Sequence, residues 1–184
     1  MSTLHNLVLG VSGSIAAVKS VSLAKALREN GFAVRACMTK NATEVLAPEA
    51  LRTVCETAPY VDMWRPDDLL GGERHIQLAE WGRAILIAPA TASTLAGLAH
   101  GLYDNCVTLV AANFPPDRWI LAPAMADAMW RQPAVQSNVQ LLRSWGAHFF
   151  GPVSGSVASG STGQRMLEPA EIVTELVAWW SRLA

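Results

Sequence analysis

The stretch Gly10-Val11-Ser12-Gly13-Ser14-Ile15-Ala16 places glycines and hydroxyl side chains between an apolar run and an amphipathic segment. Glycines let a backbone approach a phosphate, and Ser12 and Ser14 can donate hydroxyl hydrogen bonds. A helix that begins here also directs its N–H groups and the positive end of its dipole at the same point. The pattern predicts an anion site, and it is equally typical of a simple helix cap. It differs from the GxGxxG dinucleotide fingerprint.

A second stretch of small and hydroxyl residues, Ala88 to Thr94, follows the compact apolar run Ala84 to Ala88. Pro89 and Thr91 suit the start of a helix that Thr91 would cap. In an open α/β sheet, ligands bind outside the carboxyl ends of the strands, where the strand order reverses. Two strand ends of this kind can together hold one mononucleotide.

A parallel sheet is needed to bring these two loops together, and the chain alternates strand and helix patterns from end to end. We predict strands over Leu4–Gly10, Phe32–Met38, Ala84–Ala88, Trp119–Ala122 and Ala147–Phe150, and helices over Ile15–Asn30, Ala42–Cys55, Ala92–Gly101, Pro133–Trp145 and Pro169–Leu183. Alternation with short connections predicts an α/β fold, with one doubly wound (Rossmann or flavodoxin-like) parallel sheet and helices on both faces. We expect a single domain over residues 1–184.

Two segments, Thr57 to Gly72 and Gly151 to Arg165, lack this rhythm and are predicted to be loop-like. The second contains four glycines and four serines, a composition that favours a mobile flap over 151–165.

The composition narrows the classes of function. With 184 residues, 51% hydrophobic and 16% charged, the chain can build one sizeable core. A net charge of −1 without a Lys/Arg-rich run argues against nucleic acid and against an acidic membrane surface, and no apolar run reaches the ~20 residues of a membrane span. Cys37, Cys55 and Cys106 have no disulfide or metal spacing, so we expect a cytoplasmic protein without a metal. The low charge fraction also favours buried subunit contacts.

Several short motifs occur in a fixed order along the chain: Gly10–Lys19, Arg74–Ala79, Pro89–Thr94, Asp104-Asn105, Pro123–Trp130, Pro133–Gln136, Gly151-Pro152 and Arg165–Pro169. Pro89–Thr94 is similar to a PASANT motif, and Pro123–Trp130 is similar to a PxMNxxMW motif. Through this set the chain resembles the homo-oligomeric flavin-containing cysteine decarboxylases. That family includes phosphopantothenoylcysteine decarboxylase and the enzymes that decarboxylate the C-terminal cysteine of lantibiotic-type peptides.

The resemblance implies bound FMN, trimers or multiples of trimers, and a peptide or small cysteinyl substrate. Cofactor contacts are implied for Ser12, Gly13, Ser14, Ile15, Thr39, Pro89, Ala90, Thr91, Ala92, Ser93, Thr94, Ala124 and Met125. Substrate contacts are implied for Ala126, Asp127, Met129, Trp130 and Ser159, and His75 matches the catalytic histidine. In this family the flavin oxidises the cysteinyl group to a thioaldehyde, which loses CO₂ to leave an enethiolate, so the hard chemistry belongs to the cofactor.

The chain departs from the family pattern at two positions. Ala126 stands where PxMNxxMW has an asparagine that holds the substrate carboxylate, and the neighbouring Asp127 would meet that carboxylate with like charge. Ser159 stands where the pantothenate-pathway members have a cysteine in an ACGxxGxGR stretch, here one residue shorter, and the resemblance implies that this cysteine serves the reduction of the enethiol back to a thiol.

Three hypotheses follow from these departures. The first is an oxidative decarboxylase of a peptide's C-terminal cysteine, which yields an enethiol and needs no such thiol. The second is a phosphopantothenoylcysteine decarboxylase. The third is a flavin-binding accessory or regulatory protein without decarboxylase activity.

Overall fold

The computed structural model describes residues 5–64, 73–156 and 162–183. Its strands are β1 (His5–Val11), β2 (Phe32–Met38), β3 (Ala84–Ala90), β4 (Trp119–Pro123), β5 (Met125–Ala126), β6 (His148–Phe149), β7 (Val153–Ser156) and β8 (Thr162–Arg165). Its α-helices are α1 (Ser20–Glu29), α2 (Lys40–Thr43), α3 (Pro48–Arg52), α4 (Arg74–Trp81), α5 (Ala92–His100), α6 (Cys106–Ala111), α7 (Asp127–Trp130), α8 (Pro133–Ser144) and α9 (Pro169–Trp180). Short 3-10 helices cover Ile15–Lys19 and Pro116–Arg118.

The central sheet has five parallel strands in the order β2-β1-β3-β4-β6. Every residue of β3 and of β4 is buried, as expected for strands that are covered on both faces. The order reverses direction between β1 and β3, so this pair forms the switch point of the sheet. The predicted doubly wound α/β fold is confirmed.

Helices cover both faces of the sheet and divide the core into two apolar clusters. On one face, α1 and α9 pack together over Leu7, Leu9 and Val34. On the other face, α5 packs on α8 and α4 packs on α6, over Ile85 and Ile87. This arrangement leaves the carboxyl ends of the strands free for the loops that the sequence marks as a ligand site. In the part of the chain that the structure describes, no helix is long and apolar enough to pass through a bilayer.

Three predictions about local structure are wrong. The predicted helix Ala42–Cys55 is two short helices, α2 and α3, because Pro48 cannot continue a helix and instead begins the second one. The predicted helix Ile15–Asn30 opens as a 3-10 helix before α1. The segment Gly151–Arg165, predicted to be loop-like, contains β7 and β8, which pair with each other and with β5 in a small antiparallel sheet.

One further segment contributes more than the sequence indicated. The stretch predicted as a loop after Thr57 includes Tyr60, whose backbone bridges to Cys37 at the free edge of β2. Its N–H donates to the carbonyl of Ala36 at 2.9 Å, and its carbonyl accepts from Met38 at 2.9 Å. Residues 65–72 of this predicted loop lie outside the described residues.

Candidate functional site

Three helices begin directly after the three neighbouring strands β1, β2 and β3, and each is capped by a hydroxyl side chain. The Ser14 Oγ accepts from the N–H of Ala16 at 3.3 Å. The Thr39 Oγ1 accepts from Ala42 at 3.1 Å, and the Thr91 Oγ1 accepts from Thr94 at 3.3 Å. Three helix N-termini therefore meet at one edge of the sheet, where their N–H groups and dipoles favour an anion.

Ser12 connects the two loops at the switch point. Its side chain is 1% exposed, and its Oγ donates to the carbonyl of Pro89 at 2.7 Å while it accepts from the N–H of Thr91 at 3.0 Å. The Ser20 hydroxyl adds a second buried bond, to the carbonyl of Ala88 at 3.1 Å. Ser12 therefore holds the loops after β1 and β3 in register, and Ser14 is the more exposed hydroxyl of the pair.

The loop after β2 is joined to the same edge. The N–H of Thr39 donates to the carbonyl of Val11 at 3.0 Å. Gly13 lies against Asn41 of α2 so closely that a Cβ at Gly13 would come within 2.6 Å of the Asn41 Cβ. A side chain is therefore excluded at Gly13, and Ile15, next to it, is 62% exposed.

The remaining predicted cofactor residues extend this edge toward β4. Ala92 and Ser93 form the first turn of α5, where the Thr91 hydroxyl also contacts Ser93 at 3.1 Å. The N–H of Ala124 donates to the carbonyl of Ala90 at 3.2 Å. The predicted cofactor residues thus lie along the carboxyl ends of the four adjacent strands β2, β1, β3 and β4. In that order they are Thr39, Ser12–Ile15, Pro89–Thr94, and Ala124 with Met125.

Four of the five predicted substrate residues lie on β5 and α7, which follow β4 in the chain. Ala126 is exposed and pairs with Gly163 of β8. Met129 is 48% exposed, and Trp130 packs partly against the core. Ser159 lies outside the described residues.

The carboxylate of Asp127 is already engaged on both oxygens. Its Oδ1 accepts from Gln164 at 2.9 Å, and its Oδ2 pairs with Arg131 at 2.7 Å. Gln164 is 8% exposed and also donates to the Ser154 hydroxyl at 3.1 Å. Asp127 therefore ties α7 to the β7–β8 hairpin, and it does not stand in for an amide at position 126.

His75 is the second residue of α4. Its Nδ1 atom is buried and has no hydrogen-bond partner among the described residues. A buried ring nitrogen in this condition is available to a bound group. The hydrogen bonds of the described residues do not link His75 to the strand-end loops, so its assignment to the site stays a prediction.

A cavity of about 780 Å³ opens beside α4. Its lining includes Arg74, directly before His75, and Thr43, which lies one turn along α2 from Thr39. Arg52, Glu49 and Asp62 line it as well. The cavity is thus flanked by α4, which carries His75, and by α2, which Thr39 caps.

All three cysteines of the chain are buried and unpaired. Desolvation by burial raises the pKa of Cys55 to about 11 and that of Cys106 to about 12. It also raises the pKa of Cys37 well above its ordinary value. No thiol of this chain is therefore exposed as a reactive thiolate.

Several residues that shape the site were not singled out from the sequence. Gln164 and Ser154 join the hairpin to α7, and Asn41 supports Gly13. The Oε1 of Glu168 forms ion pairs with the Lys19 Nζ at 2.7 Å and with the Arg165 Nη1 at 3.4 Å. Arg165 and Glu168 fall in a matched motif, but the sequence carries no signal for the long-range pairing that brings Glu168 to Lys19.

With this geometry established, comparisons with known proteins identify the relatives of the chain. The model of the family described as Flavoprotein matches residues 1–181. The chain is 38% identical over 176 residues to the coenzyme A biosynthesis bifunctional protein CoaBC of Escherichia coli K12, covering 95% of this chain and 43% of the relative. It is 36% identical over 172 residues to a probable phosphopantothenoylcysteine decarboxylase of Streptococcus mutans, covering 93% and 96%. The chain thus spans less than half the length of the bifunctional relative.

Solved structures agree in fold. A PPC decarboxylase mutant complexed with pantothenoylaminoethenethiol superposes with a TM-score of 0.85 at 29% identity, covering 97% of this chain and 99% of the other. The FMN-dependent cysteine decarboxylase SpaF superposes with a TM-score of 0.78 at 32% identity, covering 97% and 98%.

Proposed function

The chain belongs to the Flavoprotein family, and from that premise we propose that it binds FMN and decarboxylates a cysteinyl carboxylate oxidatively. The observation that carries the proposal is the meeting of three hydroxyl-capped helices at the β1/β3 switch point. Flavodoxin-like sheets bind FMN at this place. The description of SpaF as FMN-dependent supports the same cofactor.

The residues present fit this cofactor. Ser14, Thr39 and Thr91 offer hydroxyls and helix N-termini for the phosphate. The Nδ1 of His75, which has no partner in the described part of the chain, offers a polar contact for another part of the molecule. When bound, FMN supplies the oxidation of the substrate thiol. The imidazole of His75 has a ring nitrogen without a partner among the described residues, so His75 is suited to hold or accept the proton that leaves the cysteinyl group.

The buried thiols determine how far the reaction proceeds. Reduction of the product enethiol requires a reactive thiol, and Cys37, Cys55 and Cys106 are all buried, two of them with raised pKa values of about 11 and about 12. Ser159 has no redox chemistry. The product would therefore leave as an enethiol, and bound FMN would need an external oxidant such as O₂ before a second turnover.

Two substrates are candidates, each on its own observation. Phosphopantothenoylcysteine is favoured by whole-chain similarity, because the relatives at 36 to 38% identity are named for coenzyme A biosynthesis or for that decarboxylation. The C-terminal cysteine of a peptide is favoured by Ser159, since enzymes of that kind stop at the enethiol. Both compounds are N-acylated cysteines with a free carboxylate.

We also propose that the chain assembles as a trimer. Large apolar side chains stand exposed on the 3-10 helix and after α5: Ile15 at 62%, Val18 at 56% and Leu102 at 59%. Such surface is covered when copies associate. Light scattering at micromolar concentration should give three times the chain mass or a multiple of it, and a monomer contradicts the proposal.

The FMN site is tested by replacing Ser14 with Asp. Aspartate also caps helices, so the fold should persist, while its charge opposes a phosphate and should weaken FMN affinity by more than about tenfold. Ser22→Asp, on the exposed side of α1, is the matched control. Equal FMN content in the two variants would count against the site.

His75 is tested separately by His75→Asn. This variant should keep FMN bound and should lose the bleaching of the flavin by substrate. Bleaching at the wild-type rate removes His75 from the reaction.

A further inference from the structure

One face of the small antiparallel sheet has a row that is almost bare of side chains, next to Val153, which points to the same face and packs against the core. The cross-strand pairs of this sheet place Ala126 opposite Gly163, and Gly163 opposite Gly155. Directly opposed residues in an antiparallel pair point to the same face. The side chains in this row are therefore only the methyl group of Ala126 and the hydrogens of the two glycines. The neighbouring row, Met125, Gln164 and Ser154, points to the other face, toward α7.

Arg165 points to the same face as this row, because it lies two residues after Gly163 on β8. Its guanidinium covers Gly155 so closely that a Cβ at Gly155 would come within 2.5 Å of the Arg165 Nε. That Nε is buried and has no hydrogen-bond partner among the described residues. The row thus forms a flat floor with an unused cationic donor lying on it.

The guanidinium belongs to a cluster of charged groups that, among the described residues, leaves its Nε free. Arg165 and Lys19 share the carboxylate of Glu168, at 3.4 Å from the Arg165 Nη1 and 2.7 Å from the Lys19 Nζ. Glu171 adds a second carboxylate, which accepts from the Glu168 N–H at 2.8 Å. Glu168 therefore engages the Nη1 of Arg165, while the Nε has no partner among the described residues.

We propose that Arg165, whose guanidinium covers Gly155, recognises the carboxylate of the substrate beside it, over Gly163 and Ala126. The inference rests on the proposed function, because the carboxylate is the one that the reaction removes. The Ala126 methyl group has no hydrogen to donate, and both oxygens of Asp127 are engaged elsewhere. The guanidinium supplies both the charge and the N–H donors that a carboxylate needs.

The test compares each candidate substrate with its carboxamide. Phosphopantothenoylcysteine and a peptide ending in cysteine are titrated into the FMN-loaded protein by calorimetry, each against the same compound with its cysteine carboxylate converted to an amide. The wild type should prefer at least one carboxylate form. Arg165→Gln should reduce that preference about 10- to 100-fold, as expected for a lost charge-assisted hydrogen bond, with FMN content and affinity for the amide unchanged.

Two further variants separate recognition from folding. Gly155→Ala keeps the guanidinium but displaces it from the floor, so it should lose the carboxylate preference as well. Arg143 of α8 has its guanidinium over the ring of Phe149, and Arg143→Gln should keep the carboxylate preference.

An unchanged preference in Arg165→Gln, or a wild type that prefers neither carboxylate, overturns the inference. A wild type that selects the carboxylate through Arg165 without releasing CO₂ refutes the proposed reaction and leaves this inference standing.

Discussion

Replacing Ser12 with Ala tests the connection that holds the candidate site together. The change removes the hydroxyl of a residue that is 1% exposed and leaves the N–H of Thr91 without its partner at 3.0 Å, whereas the carbonyl of Pro89 still accepts from the backbone N–H of Ser12 at 3.3 Å. One such group left unsatisfied costs about 1–3 kcal/mol. We expect the free energy of unfolding to fall by about 1–3 kcal/mol, which lowers Tm by about 2 to 12 °C in a chain of this size.

The assay is thermal unfolding of the FMN-free protein, followed by FMN titration. Ser22→Ala is the matched control, because its hydroxyl bonds the carbonyl of Lys19 on an exposed helix face and should matter by less than about 0.5 kcal/mol. Ser12→Ala should also bind FMN more weakly, since the loops after β1 and β3 lose the two hydrogen bonds of the Ser12 hydroxyl and keep the backbone bond from Ser12 to Pro89. A Tm equal to that of Ser22→Ala refutes the reasoning.

Three further predictions concern the substrate edge and the thiols. Ala126→Asn should raise activity on a cysteine carboxylate by adding an amide donor, and a fall in activity would mean that the pocket is tuned to another group. Gln164→Glu sets a carboxylate against Asp127, so unfolding should become easier by about 1–3 kcal/mol at pH 7 and recover toward pH 4, as measured by urea denaturation. The native thiols should resist a thiol reagent at pH 8 and react only after unfolding. Burial raises the pKa of Cys55 to about 11 and that of Cys106 to about 12, so these thiols ionise at lower pH in the unfolded chain than in the folded protein. The free energy of unfolding should therefore keep its full value below about pH 9 and fall as the pH rises from there toward the folded-state pKa values. A free energy of unfolding that does not change over this interval contradicts the prediction.

The strand-end loops were predictable because their chemistry is local. Ser12–Ser14 and Pro89–Thr94 are small and hydroxyl residues that directly follow apolar runs, and such residues cap helices and leave room for a ligand. The parallel sheet then brings these loops together without further information from the sequence. The break at Pro48 could have been predicted by the same local reasoning, since proline begins helices and does not continue them.

The β7–β8 hairpin could not be predicted in this way. Its strands contain Gly155 and Gly163 and show no alternation of apolar and polar residues, so neither composition nor period indicates a strand. Backbone pairing with β5 forms the sheet, and that pairing depends on contacts between residues about forty positions apart. The contact of Gln164 with Asp127 and the position of Arg165 over Gly155 both follow from this register. They required the structure.

The central claim is most directly tested by mass spectrometry of one reaction. Purified protein is loaded with FMN and mixed in air with phosphopantothenoylcysteine or with a peptide that ends in cysteine. The account predicts that at least one of them loses CO₂ together with two hydrogens, because the chain has no exposed thiol to serve the reduction of the enethiol. Recovery of both compounds unchanged, from protein that holds FMN, would contradict it.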